Sequence, residues 1–268
     1  LDVSLKRSYM EREAKKALSQ PSYENIFRRL HLNQWTTSET RWINDTDIVA
    51  CNGTISEEIL LQNPCYGGLD LASVRDLTCL SLCWRIGEKI IFKHWTFIPE
   101  DKFEGRTGGN DGVNYMDWAD YLEVTPGNVT DYNFVKAKIF EVCEKYQVQS
   151  IAFDRWNSSQ LVIECIEEGL KMSAFGMGYK SLSPAAKEIE AKVLTNDLIY
   201  FNDPLIRWQF SNVQLETDPA GNIKPNKAKS SDKIDSIMSM CMAVGEEMYS
   251  EAPVVSKYTR DGKGFFTI

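Results

Sequence analysis

The chain has almost no histidine: His31 and His94 are the only two in 268 residues. A histidine-rich zinc centre and a histidine-based catalytic triad are thereby disfavoured, since both draw on imidazole. Also lacking is any apolar run near the roughly 20 residues a membrane-spanning helix needs, so the chain is read as soluble with no membrane partner. No signal peptide is present, because the opening SLKRSYMEREAKKAL is charged and amphipathic. The first residue is Leu1 rather than Met, which suggests a fragment of something longer. No CxxC pair occurs among seven cysteines, at 51, 65, 79, 83, 143, 165 and 241. An odd number spread through apolar stretches reads as buried free thiols in a reducing compartment. The sequons at Asn52 and Asn128 are then chance matches.

An excess of positive charge is missing too: 30 basic against 38 acidic residues leave a net charge of −8. That argues against a passive nucleic-acid coat, but not against an enzyme that meets DNA through a local basic surface. Lys224 to Lys233 (KPNKAKSSDK) is one such candidate, and a solvated loop is the competing account.

What is present is ordinary globular composition, 43% hydrophobic and 25% charged. The length suits one large domain, with or without an appendage, and a core that folds without disulfides. Residues 1–60 read as a helical appendage. Residues 61–250 form an α/β domain, and residues 251–268 a tail with no assigned role.

YGGLDLA, LTCLSLCWRI and KIIFKHWTFI read as three strands joined by the turn SVRD and by Gly87, an antiparallel meander. A long loop is expected from Pro99 to Thr130, with Gly105, Gly108, Gly109, Gly112 and Gly127, and its stretch from Gly105 to Gly112 is either a flexible gate or a docking surface. Asp131 caps a helix running to Tyr146, and QSIAFD is a buried strand ending at Asp154. SSQLVIECIEEGL is helical and MSAFGM a strand. Ser183-Pro184 opens a further helix, LIYF is a strand, Asp203-Pro204 opens a helix to Val213, and Asp232 caps the last, to Met248. This succession matches a ribonuclease H-like fold: a central mixed sheet of five or more strands flanked by helices, with the first and fourth strands parallel neighbours.

Three carboxylates stand out. Asp70 sits inside an apolar strand, where an ionised group is costly unless paired or bound to metal; an edge strand facing water is the alternative. Asp154 ends a parallel strand, where ligands gather, or else it caps the next helix. Asp235 lies in the first turn of the last helix, where the dipole favours a carboxylate by roughly 0.3–1 kcal/mol with or without a ligand. Together they would make an oxygen-rich site suited to Mg²⁺ or Mn²⁺. Two such ions, about 3.5–4 Å apart, can activate water and stabilise the leaving oxygen in phosphodiester hydrolysis.

GGLDLASVRDLTCLSL, IAFDRW and KIDSIMSMCMAVG, in that order, resemble the nuclease motifs of phage large terminase subunits. SYENIFRRLHLNQWTTSETRWI resembles the stretch leading from the motor domain of those proteins into the nuclease. The resemblance implies an endonuclease that cuts concatemeric double-stranded viral DNA during packaging, in the host cell cytoplasm. It implies metal binding at Asp70, Asp154 and Asp235, and a motor ATPase domain, a portal and a small terminase subunit as partners. Asp76 belongs to the first motif, as an accessory acid or as a turn residue, and the turn is preferred. The chain departs from the family in having no GxxxxGK[ST] phosphate loop, so ATP-driven translocation is not assigned to it.

Lys224, Lys227, Lys229, Lys233 and Arg155 are candidate phosphate contacts. Trp156 either faces DNA or packs under the site. Another ribonuclease H-like enzyme (a junction resolvase, an integrase-like recombinase or a hybrid nuclease) and a non-catalytic docking module are the competing functions.

Overall fold

The computed structural model of the chain describes residues 6–19, 23, 27–28, 30–32, 42–71, 77–105, 112–155 and 160–251. Helices α1 (Arg7–Ser19), α2 (Asp45–Ala50) and α3 (Glu57–Gln62) lead into strands β1 (Pro64–Asp70), β2 (Thr78–Ile86) and β3 (Lys89–Pro99). These strands form the expected meander, with Leu69 opposite Leu80 and Leu80 opposite Trp95. Gly87 turns β2 into β3 with φ +60°, a conformation open to glycine.

Helix α4 (Glu100–Phe103), a 3₁₀ segment (Tyr115–Tyr121) and strand β4 (Leu122–Thr125) come next. They occupy much of the stretch expected as a loop. β4 pairs parallel with β3, Thr96 beside Leu122, and Tyr115 and Leu122 bury against Leu77, Cys79, Ile98 and Leu205. Four residues are too few to show alternation, and only the partner strand makes them a strand. Gly108 and Gly109 lie outside the described residues.

Helix α5 (Tyr132–Lys145) buries Val135, Ile139 and Val142, and Asp131 caps it by accepting from Asn133 N at 2.9 Å. Strand β5 (Gln147–Asp154) returns parallel to β1, Gly68 beside Ala152 and Leu69 beside Phe153. Helix α6 (Gln160–Glu167), strand β6 (Met172–Phe175), helix α7 (Tyr179–Leu194), strand β7 (Leu198–Ile199) and helix α8 (Pro204–Asn212) follow. A hairpin, β8 (Leu215–Thr217) and β9 (Ile223–Pro225), precedes the last helix, α9 (Asp235–Glu251).

The main sheet runs β4-β3-β2-β1-β5-β6, with β7 also pairing β3. Its mixed order, with parallel β1 and β5 at the centre, is the ribonuclease H-like arrangement. One core packs α7, α8 and α9 on one face; the other packs α5, α6 and Leu60 on the opposite face. Trp42, Ile43, Ile48 and Cys51, from the segment read as an appendage, join the first of these cores. Among the described residues, no helix is long and apolar enough to cross a membrane. All seven cysteines are free, and all but half-buried Cys143 are buried.

Two helix starts differ from expectation. Helix α7 begins at Tyr179, not at Ser183, and encloses Pro184. Proline has no N–H for the Lys180 carbonyl, and the Tyr249 hydroxyl donates to that carbonyl instead, at 3.1 Å. Ser183 does not cap: its Oγ accepts from Ile223 N at 3.1 Å and ties the helix to the hairpin. Helix α9 begins at Asp235, three residues past Asp232, whose side chain accepts from the adjacent Lys233 N at 2.8 Å. The β8–β9 hairpin was not expected either, its strands being three residues each.

One contact sets the position of α9. A side chain at Gly68 would place its Cβ 2.0 Å from Ser239 O and 2.6 Å from Ala243 N, so the helix backbone lies directly on the β1 backbone. Any other residue there displaces the helix.

Candidate metal centre

Asp70 and Asp154 are the last residues of two adjacent parallel strands, one step beyond the Leu69–Phe153 pair, so both reach the same end of the sheet. Helix α9, seated on Gly68, begins with Asp235 at that same end. Asp70 is 3% exposed and Asp235 1%, whereas Asp154 is half-buried. The helix dipole at α9 supports negative charge there.

The start of α9 is held by side chains in place of a conventional cap. Buried Gln209 of α8 accepts from Ser236 N at 2.7 Å and donates to Ser236 Oγ at 2.9 Å. Thr96 Oγ1 and Cys79 Sγ each lie 3.2 Å from the same hydroxyl. Deeper along the helix, Ser81 Oγ contacts Ser239 Oγ at 2.5 Å and His94 Nδ1 at 2.9 Å. This polar layer joins α9 to β2 and β3, so Asp235 stands on a braced element.

Lys227 bridges the two buried carboxylates. Its Nζ is 2.7 Å from Asp70 Oδ2 and 2.8 Å from Asp235 Oδ1. Burial pushes the Asp70 carboxyl up; Lys227 pulls it down, and the charges of Asp235 and Asp154 push it up again, leaving it above the ordinary aspartate value. Burial works against the Lys227 ammonium, but Asp70 and Asp235 outweigh it and hold the group above the usual lysine range. From the sequence, Lys227 is expected only as a phosphate contact. Its spacing, eight residues before Asp235, carries no signal that it would turn inward.

The donors at this end suit a hard cation. Asp70 and Asp235 offer only oxygens, and a cationic group already sits between them. Asp70 Oδ2 is buried and accepts no hydrogen bond among the described residues beyond this ion contact. Asp154 stands at the rim, and its charge is felt at Asp70. Among the described residues, no three histidine, cysteine, aspartate or glutamate side chains close around one point. The backbone therefore brings the three aspartates to one end of the sheet, and the side chains gather two of them.

The other candidates disperse. Lys224 and Lys229 face Glu216, at 3.4 and 3.7 Å. Lys233 lines a small cleft with Lys227, Ser230, Ser231 and Asp235. Exposed Arg155 follows Asp154 and reaches over Gly176, whose missing side chain leaves it room. Asp76 and Trp156 lie outside the described residues.

Comparison with known proteins adds four findings. Residues 1–251 match the family model described as terminase large subunit, endonuclease domain. The chain is 33% identical over 245 residues to the terminase large subunit of Enterobacteria phage HK97, covering 88% of this chain and 47% of that protein. It is 22% identical over 267 residues to Protein YmfN of Escherichia coli strain K12, covering 94% of this chain and 58% of that one. The chain thus spans about half the length of these curated relatives. The crystal structure of the HK97 bacteriophage large terminase superposes with a TM-score of 0.70 at 31% identity, over 92% of this chain and 52% of that one.

Proposed function

The chain belongs to the terminase large subunit endonuclease-domain family, and from that premise we propose that it cuts concatemeric double-stranded viral DNA during genome packaging by metal-dependent phosphodiester hydrolysis. The observation that carries this reading is the buried Asp70–Asp235 pair facing one cation, beside Asp154 on the adjacent strand end.

Asp70, Asp154 and Asp235 would hold Mg²⁺ or Mn²⁺, two ions in the fullest form. When bound, such ions supply Lewis-acid activation of water and stabilisation of the leaving 3′-oxygen. The rest falls to the protein. Gly68 seats α9 so that Asp235 cannot drift from Asp70. Gln209 and Ser236 fix the first turn that presents Asp235. Lys233, which lines the cleft, and exposed Arg155, which follows Asp154, would hold backbone phosphates. Lys224 and Lys229 add positive charge on the hairpin side, tempered by Glu216.

In the full-length protein an ATPase domain would drive translocation, with a portal and a small terminase subunit as partners. Seven free cysteines agree with a reducing compartment, the host cell cytoplasm.

Supercoiled plasmid with Mn²⁺ tests the reading. Nicking and linearisation should appear with the wild-type chain and vanish in EDTA. Asp70→Ala should lower the rate by on the order of a thousandfold or more, as loss of one member of a catalytic set does. Cleavage that survives EDTA or the substitution would refute it. Parallel incubations with an RNA–DNA hybrid and a four-way junction should show duplex DNA preferred.

A further inference from the structure

Lys227 is not a surface lysine that happens to fall near two acids. Its backbone is fixed by a turn built around Asn226. Asn226 Oδ1 accepts from Ala228 N at 2.9 Å and from Lys229 N at 3.1 Å, and its carbonyl accepts from Ser230 N at 3.0 Å. Asn226 N donates to Gln214 O at 3.0 Å, and its Nδ2 donates to Glu216 at 2.9 Å. Beyond the turn, Ser231 N donates to Asn212 O at 3.1 Å, and Asn212 Nδ2 donates to Lys233 O at 3.1 Å. The segment between β9 and α9 is therefore tied at both ends.

From this anchored position the side chain turns inward, while Lys224 and Lys229 on either side turn to Glu216. Its ammonium lies within 2.8 Å of both buried carboxylates, yet the side chain as a whole keeps 43% of its surface open to solvent. The acids are enclosed and the cation has a way out. A lysine stem has four rotatable carbons, so the ammonium can leave the seat while the turn stays in place.

We propose that Lys227 is the resident counter-cation of the metal seat: it holds Asp70 and Asp235 convergent before metal arrives, and an entering divalent cation displaces it. This rests on the metal-dependent reading above. A positive charge between two mutually repelling buried carboxylates relieves them in either state, and the Lys227 ammonium already stands against the oxygens that would hold the ion. Lysine and metal then compete, and by linkage each weakens the hold of the other.

The test uses the chain with Lys227→Met, which keeps most of the stem, and Lys227→Arg, which keeps the charge. Thermal denaturation is followed in EDTA and in Mn²⁺ at pH 8, and Mn²⁺ binding is measured by calorimetry. In EDTA, Lys227→Met should melt below wild type, with Lys227→Arg closer to it. In Mn²⁺, Lys227→Met should gain more in Tm than wild type and should bind the ion roughly tenfold more tightly. Equal or weaker Mn²⁺ binding by Lys227→Met overturns the counter-cation role and leaves the metal reading intact. No Mn²⁺ binding by the wild-type chain overturns both. A Lys227→Met chain that fails to fold in EDTA but folds in Mn²⁺ supports the proposal, because the ion then replaces the missing ammonium.

Discussion

Helix α9 carries buried acids at both ends, about 16 Å apart, and the two ends are built on opposite plans. At its carboxyl end, Glu246 accepts from Ser150 Oγ at 2.5 Å and Ser173 Oγ at 2.7 Å. Glu247, 1% exposed, receives two N–H groups of Arg85, at 2.5 and 2.8 Å, and Arg85 turns a third to Glu188 at 3.0 Å. Each acid there has donors of its own. At the amino end, Asp70 and Asp235 share one ammonium while the charge of Asp154 presses on Asp70. Burial of a carboxylate is therefore a poor mark of function in this molecule. What differs is that one ammonium serves two buried carboxylates at the amino end, whereas Arg85 meets Glu247 with two N–H groups at the other.

Removing the cation at the carboxyl end should have the largest effect. Arg85→Ala strands Glu247 in the core and should cost about 3–5 kcal/mol of stability, with or without Mn²⁺. Denaturant titration measures it, and a loss under about 1 kcal/mol would erase the contrast between the ends.

Acid comes next. Burial pushes His94 down to about 3, and its Nε2 makes no hydrogen bond among the described residues. The folded chain holds the imidazole neutral, whereas the unfolded chain protonates it near pH 6.5. Stability from this group is complete above that pH and is lost as the pH falls from about 6.5 towards 3. His94→Gln should flatten the upper part of that decline in a series of melts. An unaltered decline would place the sensitivity on carboxylates such as Glu57, which, despite burial, Lys145, Lys93 and Tyr146 hold at about 2 and which loses its contribution only below about pH 4.5.

Asp70→Asn should differ in sign from Arg85→Ala. Because the Asp70 carboxyl is held above its ordinary value, its ionised form costs stability at neutral pH, and the amide relieves that cost. Without metal the variant should be as stable as wild type or more so, within about 1 kcal/mol, and it should gain little from Mn²⁺. A clear drop in EDTA would class Asp70 with Glu247 as a structural acid. The smallest effect belongs to Lys224 and Lys229. Their partly exposed pairs with Glu216 are worth at most about 1 kcal/mol. Lys224→Ala and Lys229→Ala should each reduce the salt slope of DNA binding by about one, and an unchanged slope would remove them from the interface.

Much of this organisation was legible in the chain. Strands β1, β2 and β3 announce themselves because long apolar runs broken by turn residues leave few other choices, and Asp131 and Asp203 cap helices as such residues do. Asp70 was conspicuous for the same reason, a charge set in an apolar strand. Strand β4 and the β8–β9 hairpin were not legible, since strands of three or four residues exist only through their partners. Pro184 misled because its ordinary place is a first turn, whereas here the Tyr249 hydroxyl compensates for the N–H it lacks. Lys227 is expected as a phosphate contact like Lys224 and Lys229, because nothing local distinguishes it from them.

The chain alone determined which residues are exceptional: two adjacent glycines before an aspartate in a strand, an aspartate ending another, and an aspartate opening a helix. Pattern suffices there, because polarity and backbone freedom are properties of single residues and their immediate neighbours. The meeting of those residues belongs to the tertiary structure. A parallel register between β1 and β5, a helix backbone resting on Gly68, and a lysine anchored by Asn226 join positions 70, 154, 227 and 235, which local pattern cannot relate. Electrostatic coupling depends on distance in space, and only folding sets that distance.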